Sequence, residues 1–262
     1  MAATSDTARL DAELLLAHAL GVTRSAMLLH HMQAEAPASF AALVARREGH
    51  EPVAYILGHQ EFRGLNFAVN PAVLIPRGDS ECVVEAALQA RPDAARVLDC
   101  GTGSGALLLA VLHELPAASG LGVDASTPAL AVASGNAKAL GLAGRAQFLL
   151  RDWTQPNWTD QLGQFDLILA NPPYVEDDAP LDPDVRDFEP VSALFAGPEG
   201  LDDYRVLIPQ LPALLRQGGM AVLEIGASQA AAVSAIAAPN GFTTSLHHDL
   251  AGRPRALVLT PC

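Results

Sequence analysis

The 262-residue sequence is short of thiols, of lysine and of positive charge in general. Its three cysteines, Cys82, Cys100 and Cys262, form no Cys-x-x-Cys pair and no short Cys/His spacing, which argues against a structural metal site. So sparse and odd a set fits a reducing cytoplasm, not a disulfide framework. Lys138 is the only lysine, and all bases together number 16 against 29 acids, a formal net charge of −13. A surface that tracks phosphates needs clustered Lys and Arg, so nucleic acid is disfavoured as a partner. No apolar run is long enough to span a membrane. Asp11 and Glu13 stand where a secretion signal would need a positive start and an unbroken apolar stretch. These absences predict a cytoplasmic monomer with neither a nucleic-acid nor a membrane partner and no bound metal. What is present is apolar: half the residues are hydrophobic and 17% are charged. A chain of this length and composition can bury a large core without covalent support.

The pattern changes near residue 60. Before it, apolar residues recur at helical spacing, and Leu10, Leu14, Ala17 and Leu20 form one expected stripe. Phe40, Leu43 and Val44 mark a second helix ending near Gly49. Residues 1–58 therefore read as a small helical domain. In residues 59–76, short apolar runs alternate with Gly64, Asn66, Asn70 and Pro71, as in a β-hairpin linker. From 77 to 262 strands and helices alternate, with strands expected at 96–100, 121–125, 146–150, 165–170, 220–226, 242–248 and 255–260. The central ones are continuous apolar runs, as buried parallel strands are. The last two are joined by a short turn, so the final strand is expected to be antiparallel. The fold class is α/β, a doubly wound, Rossmann-like sheet of seven strands.

The first of these strands runs into Asp99-Cys100-Gly101-Thr102-Gly103-Ser104-Gly105, followed by an apolar helix. Glycines there permit a tight turn and close approach of a ligand to the backbone. The spacing is neither the dinucleotide Gly-x-Gly-x-x-Gly nor a phosphate loop, which needs Gly-Lys-Ser/Thr. The alternative is a turn without a ligand, over which the glycines alone favour a ligand site only modestly. Asp124 ends the second strand, where a carboxylate can accept from both ribose hydroxyls. It could instead cap the next helix, but Ser126 and Thr127 can do that themselves. Asp152 and Trp153 end the third strand, an acid for an adenine amino group and an aromatic for the ring's edge. The fourth strand leads into Asn171-Pro172-Pro173-Tyr174. Neither proline has an N–H, so carbonyl oxygens here stay free to accept, and Asn171 adds a side-chain acceptor. Two fixed acceptors suit a planar NH₂ group, and Tyr174 offers a flat wall for stacking. Such a nitrogen is a poor nucleophile because its lone pair is delocalised. Holding both N–H groups aims it, which is catalysis by orientation, with no strong base needed before attack.

The Asp-x-Gly-x-Gly-x-Gly turn resembles motif I of class I S-adenosylmethionine methyltransferases. The Asn-Pro-Pro-Tyr tetrad resembles the signature of enzymes that methylate amino groups of adenine, cytosine or glutamine amide. The segment EPVAYILGHQEFRGLNFAVNPAVLIPRGDSE (51–81) resembles the domain-joining segment of the HemK/PrmC family of peptide chain release factor N5-glutamine methyltransferases. LDAELLLAHALG, FDLILANPPYV, VRDFEPVSALFAGPEGLDDYR, GGMAVLEIG and HDLAGRPRALVL follow that family's order over nearly the whole chain. The resemblance implies S-adenosyl-L-methionine as cofactor and class I release factors, through the glutamine of their Gly-Gly-Gln loop, as partners. It implies a cofactor site of Gly101, Thr102, Gly103, Ser104, Gly105, Asp124, Asp152, Trp153 and Asn171. The substrate amide would be held by Asn171, Pro172, Pro173 and Tyr174, with Asn171, Pro172 and Tyr174 catalytic, and residues 1–58 would dock the substrate. Arg77 and Glu81 fall in the family's Ile-Pro-Arg-x-Asp-Thr-Glu stretch with roles left open. Gly78, Ser80 and Cys100 depart mildly from that pattern, and the family's first helix is expected to be missing.

Two alternatives stay open. A DNA or RNA amino-group methyltransferase would share the tetrad, but should add a basic groove or a recognition domain. A silent scaffold would show an altered tetrad or glycine loop, and both are intact. Seven acids lie between Glu176 and Glu189, with Arg186 the only base. The run is either a solvated loop or a rim that steers a basic protein surface to the site. The adjacent pairs His30-His31 and His247-His248 suit no metal-ligating face.

Overall fold

The computed structural model describes residue 5 and residues 7–262. Four helices come first: α1 (Ala8–Leu20), α2 (Arg24–His30), α3 (Ala38–Glu48) and α4 (Val53–Leu57). The Thr23 hydroxyl caps α2, accepting from the Ala26 N–H at 3.2 Å. The stripe expected on α1 is rotated. Ala17 is buried as expected, but Leu10 is 41% exposed, and Asp11 and Leu15, outside the stripe, are buried. The run Leu14-Leu15-Leu16 leaves the helix phase open to sequence reading, and an ion pair decides it. Arg47 of α3 donates from Nε to Asp11 at 2.8 Å, with both side chains buried. Burial pushes the Asp11 carboxyl up, but bonds from Arg47, Ser5 and Thr7 outweigh it and hold it below the usual carboxylate range.

The linker hairpin is shorter than its apolar pattern. Strands β1 (His59–Phe62) and β2 (Leu65–Ala68) pair antiparallel, and residues 69–77 carry no strand. Val69, Val73 and Ile75 are buried without sheet pairing. Phe62 and Phe67 meet edge to face at 6.2 Å and sit in the same apolar cluster as the sheet and its helices.

The large domain holds α5 (Glu81–Ala90), β3 (Arg96–Cys100), α6 (Ala106–Glu114), β4 (Ser119–Asp124), α7 (Thr127–Ala139), β5 (Ala146–Leu150) and β6 (Phe165–Ala170). It continues with α8 (Pro183–Phe188), α9 (Asp202–Leu207), α10 (Leu211–Leu214), β7 (Leu215–Glu224), α11 (Ala230–Ala237), β8 (Phe242–His248) and β9 (Pro254–Pro261). The seven strands order as β5-β4-β3-β6-β7-β9-β8. Pairing is parallel from β5 to β7, and β9 is antiparallel to both neighbours. Strand β7 begins five residues before its expected start, 220 less 215, across the glycines Gly218 and Gly219. Its register with β6 shifts there, between Phe165 and Leu167, so a polar, glycine-rich stretch that reads as a turn is a bulged strand. Strand β3 lies between β4 and β6, and the chain reverses its direction of winding there. The carboxyl ends of β3, β4 and β6 thus open on the crevice where doubly wound sheets bind ligands.

Candidate functional site

The glycine loop bridges β3 and β4 before α6 begins. Gly101 and Thr102 both donate to the Val123 carbonyl, at 2.9 and 3.0 Å. Gly101 has a φ of +72°, and a Cβ there would lie 3.0 Å from the Trp153 ring. Any side chain would push the indole away, so glycine is required by close approach as well as by backbone conformation. The Gly103 N–H donates to Asp124 at 2.9 Å, and the other Asp124 oxygen accepts from the Ser126 N–H, also at 2.9 Å. Asp124 therefore ties its own loop to the glycine loop, and Ser126, not Asp124, caps α7 through the Ala129 N–H. Burial raises the Asp124 pKa against those backbone bonds.

Asp99 is more deeply set. One carboxylate oxygen accepts from the Thr102 hydroxyl at 2.6 Å; the other is buried with no hydrogen-bond partner. Burial lifts the Asp99 pKa to about 7, opposed by the Thr102 bond and reinforced by the Asp124 charge. Asn136 of α7 holds the loop from behind, donating to the carbonyls of Ser104 at 2.9 Å and Ala68 at 3.0 Å. The hairpin and the glycine loop thereby share one buried amide.

A cavity of about 600 Å³ lies over these strand ends, lined by Gly101, Thr102, Gly103, Ser104, Asp124, Asp152, Trp153, Asn171 and Pro173. Nine residues named from sequence thus share one surface. Asp152 accepts from the Thr154 N–H and hydroxyl, at 2.9 and 2.7 Å, and Trp153 donates from its indole to Asp203 at 2.8 Å. Gly105, Pro172 and Tyr174 do not line the cavity. The flat wall expected of Tyr174 is absent from its surface. The ring packs into the apolar cluster under the sheet, and its hydroxyl donates to buried Glu224 at 3.2 Å. Burial, with the Glu224 charge beside it, holds the Tyr174 phenol well above its usual range.

Models of two families match the chain: the PrmC N-terminal domain over residues 1–58 and the methyltransferase small domain over residues 80–185. The release factor glutamine methyltransferase of Moorella thermoacetica is 44% identical over 259 residues, covering 95% of this chain and 90% of that protein. That of Cereibacter sphaeroides is 44% identical over 260 residues, 97% and 91% of the two chains. That of Rhodospirillum rubrum is 43% identical over 257 residues, 95% and 78%. The chain belongs to the release factor glutamine methyltransferase family. Among solved structures, the ribosomal protein L11 methylase of Lactobacillus delbrueckii subsp. bulgaricus superposes with a TM-score of 0.51 at 24% identity, over 71% of this chain and 80% of that one. TrmN of Thermus thermophilus gives 0.51 at 26% identity, over 68% and 48%. These two structures share the fold of a class I methyltransferase with the large domain.

Three side chains at the site of this methyltransferase have a place in the structure that sequence reading left unassigned. Asp99 opens the glycine motif but carried no role of its own, and its unpartnered oxygen is visible only in three dimensions. Asp203 lines the cavity from α9, and nothing in its sequence context marks it. Arg77 lines the cavity and pairs with Glu189, whose other oxygen accepts from the Ile75 N–H at 3.2 Å. Glu189 is buried, so it does not add to an exposed acidic rim. Asp184 lies 3.7 Å from Arg47, and Asp187 pairs with Arg186 at 2.7 Å. Of the seven acids, Glu176, Asp177, Asp178 and Asp182 are left exposed with no ion pair among the described residues. The other residue left open, Glu81, accepts from the Arg63 N–H at 3.2 Å and fixes the hairpin turn to α5.

Proposed function

We propose that this enzyme transfers a methyl group from S-adenosylmethionine to the side-chain amide nitrogen of the glutamine in the Gly-Gly-Gln loop of class I release factors, modulating translation termination. The observation that carries the reading is the meeting of two different devices at one cavity. The glycine loop and an orphaned carboxylate oxygen on Asp99 line it together with Asn171 and Pro173 of the tetrad.

The residues present fit the cofactor. Asp99 has a free buried oxygen for a cationic amino group, and the loop from Gly101 to Ser104 leaves room for a methionine chain. Asp124 retains lone pairs for ribose hydroxyls beyond its two backbone bonds. Trp153 and Asp152 would border the adenine. Bound there, the cofactor supplies an electrophilic methyl group on a sulfonium. The rest of the chemistry belongs to the chain. The Asn171 side-chain oxygen and the Pro172 carbonyl accept the two N–H groups of the glutamine amide. They draw electron density toward the nitrogen and fix its direction of attack. The nitrogen gains acidity as it is methylated and sheds its proton afterwards, so no strong base is required.

The test is transfer of radiolabelled methyl from S-adenosylmethionine to purified release factor, with DNA and RNA as parallel acceptors. Label on the Gly-Gly-Gln glutamine alone is the expected result. Label on nucleic acid and none on the release factor would overturn the reading.

A further inference from the structure

The tetrad is a strut held at both ends. At Asn171 it continues β6, whose last residue, Ala170, is paired with Cys100 on one side and Leu223 on the other. Pro172 and Pro173 fix two successive φ angles, so the strut itself is stiff. At its far end, Tyr174 and Val175 donate their N–H groups to the Leu194 carbonyl at 3.2 and 2.8 Å. The Tyr174 carbonyl is held by a different residue, which does not line the cavity. It accepts from Nε2 of Gln229 at 3.0 Å. The same nitrogen donates to the Gly200 carbonyl at 3.1 Å, and the amide oxygen accepts from the Gly226 N–H at 2.9 Å. One buried amide, 9% exposed, thus satisfies backbone groups from three separate segments. The surroundings are trimmed to admit it. A Cβ on Gly200, whose φ is +63°, would lie 2.2 Å from the Tyr174 oxygen and 2.8 Å from Gln229 Nε2.

We infer that Gln229 is a positioning residue for methyl transfer: its amide pins the Tyr174 carbonyl, and through the stiff Pro-Pro strut it sets where the Asn171 and Pro172 acceptors point. The inference rests on the reading of those acceptors as the grip on the substrate amide. Losing the Nε2 donor would remove the hold on the Tyr174 carbonyl and loosen that end of the strut, which the Leu194 carbonyl would still tether, while leaving the cavity wall and glycine loop in place.

Two variants test this. Gln229→Glu keeps the shape and removes both N–H donors; Gln229→Met keeps the volume and removes every polar partner. Amide hydrogen exchange is measured without substrate, and steady-state methylation of release factor with it. Exchange at Tyr174 and Val175 should quicken at least tenfold while β3 stays as protected as in the parent. The kcat should fall at least tenfold, with the KM for release factor and the Kd for S-adenosylmethionine each within threefold. Unchanged exchange at 174–175, or parental kcat in a variant that has merely lost thermal stability, would overturn the inference. Loss of folding in both variants would do the same, since it would assign Gln229 to the fold instead. If the parent protein itself methylates no release factor while exchange at 174–175 still responds to the variants, the proposed substrate is wrong and the pinning role stands.

Discussion

Asn171 and Asp99 illustrate how differently two site residues announce themselves. Asn171 is legible because of its place: a Pro-Pro turn ending a strand is common by itself, but at the end of the fourth strand after an intact glycine motif it marks a site, and the side-chain amide is the acceptor a planar NH₂ group needs. Asn171→Ala removes that acceptor without touching the glycine loop. Methylation of release factor should fall by at least ~100-fold, the scale on which deleting one preorganised hydrogen bond acts. The Kd for cofactor should stay within a few-fold, read by calorimetry; near-parental turnover would refute the role. Tyr174 shows the opposite case: within the same tetrad, its partly buried ring packs against the core cluster, where Glu224 offers its hydroxyl a buried partner. Asp99 was legible only as a motif letter, because burial and the missing partner that define its chemistry are properties of the fold. Its pKa of about 7 lies above the ordinary carboxylate value of 3.8, so between these pH values the folded state holds a proton the unfolded state has lost. Asp99 therefore takes stability away as pH rises through that window, and a bound cation reverses the balance by favouring the ionised form. The Kd for S-adenosylmethionine should tighten roughly tenfold from pH 6 to pH 7.5. Asp99→Asn should flatten that dependence, and an equal slope in both proteins would dismiss the contact.

Among the elements, the strands were the most readable and the acidic loop the least. Apolar runs with turn residues at their ends located β3, β5, β6, β8 and β9 within a residue or two. The start of β7 was hidden by its bulge, and the linker's later apolar residues were buried without becoming strand, since burial alone does not demand pairing. In residues 176–189 the sequence shows seven acids and one base, but not that Glu189 turns inward to Arg77 or that Asp184 faces Arg47. Steering by this loop thus falls to Glu176, Asp177, Asp178 and Asp182. Replacing these four by Asn or Gln should slow association with whole release factor about tenfold at low salt, because rim charges act mainly on encounter rates. Methylation of a short Gly-Gly-Gln peptide should hardly change. Equal slowing of both substrates would show that the loop shapes the site instead of attracting the partner.

At the scale of the whole molecule, the alternation of strands and helices predicts the doubly wound sheet and where its crevice lies, while the joining of the helical domain to that sheet was not legible. It depends on which side of α1 faces inward, and three consecutive leucines leave that unanswered. The answer is electrostatic. Arg47 is buried between Asp11 of α1, at 2.8 Å, and Asp184 of α8, at 3.7 Å, so one guanidinium links α1 to the element that follows the Asn171–Tyr174 loop. A buried charge left without its partner is strongly destabilising, by about 3–5 kcal/mol. Arg47→Met should therefore lower the melting temperature by roughly 6–20 °C for a chain of this size, at ~2–4 °C per kcal/mol. Asp11→Leu combined with Arg47→Met should recover most of that loss, because a buried pair replaced by apolar side chains is often neutral. The pH dependence has a definite sign. The Asp11 carboxyl is depressed in the folded state, so its contribution is complete above the ordinary carboxylate range and is lost as pH falls through the lowered value. Thermal scans of the single and double variants at pH 7 and pH 3 settle the matter. A single variant as stable as the parent at pH 7, or a double variant no better than the single, would remove Arg47 as the tie between the two domains.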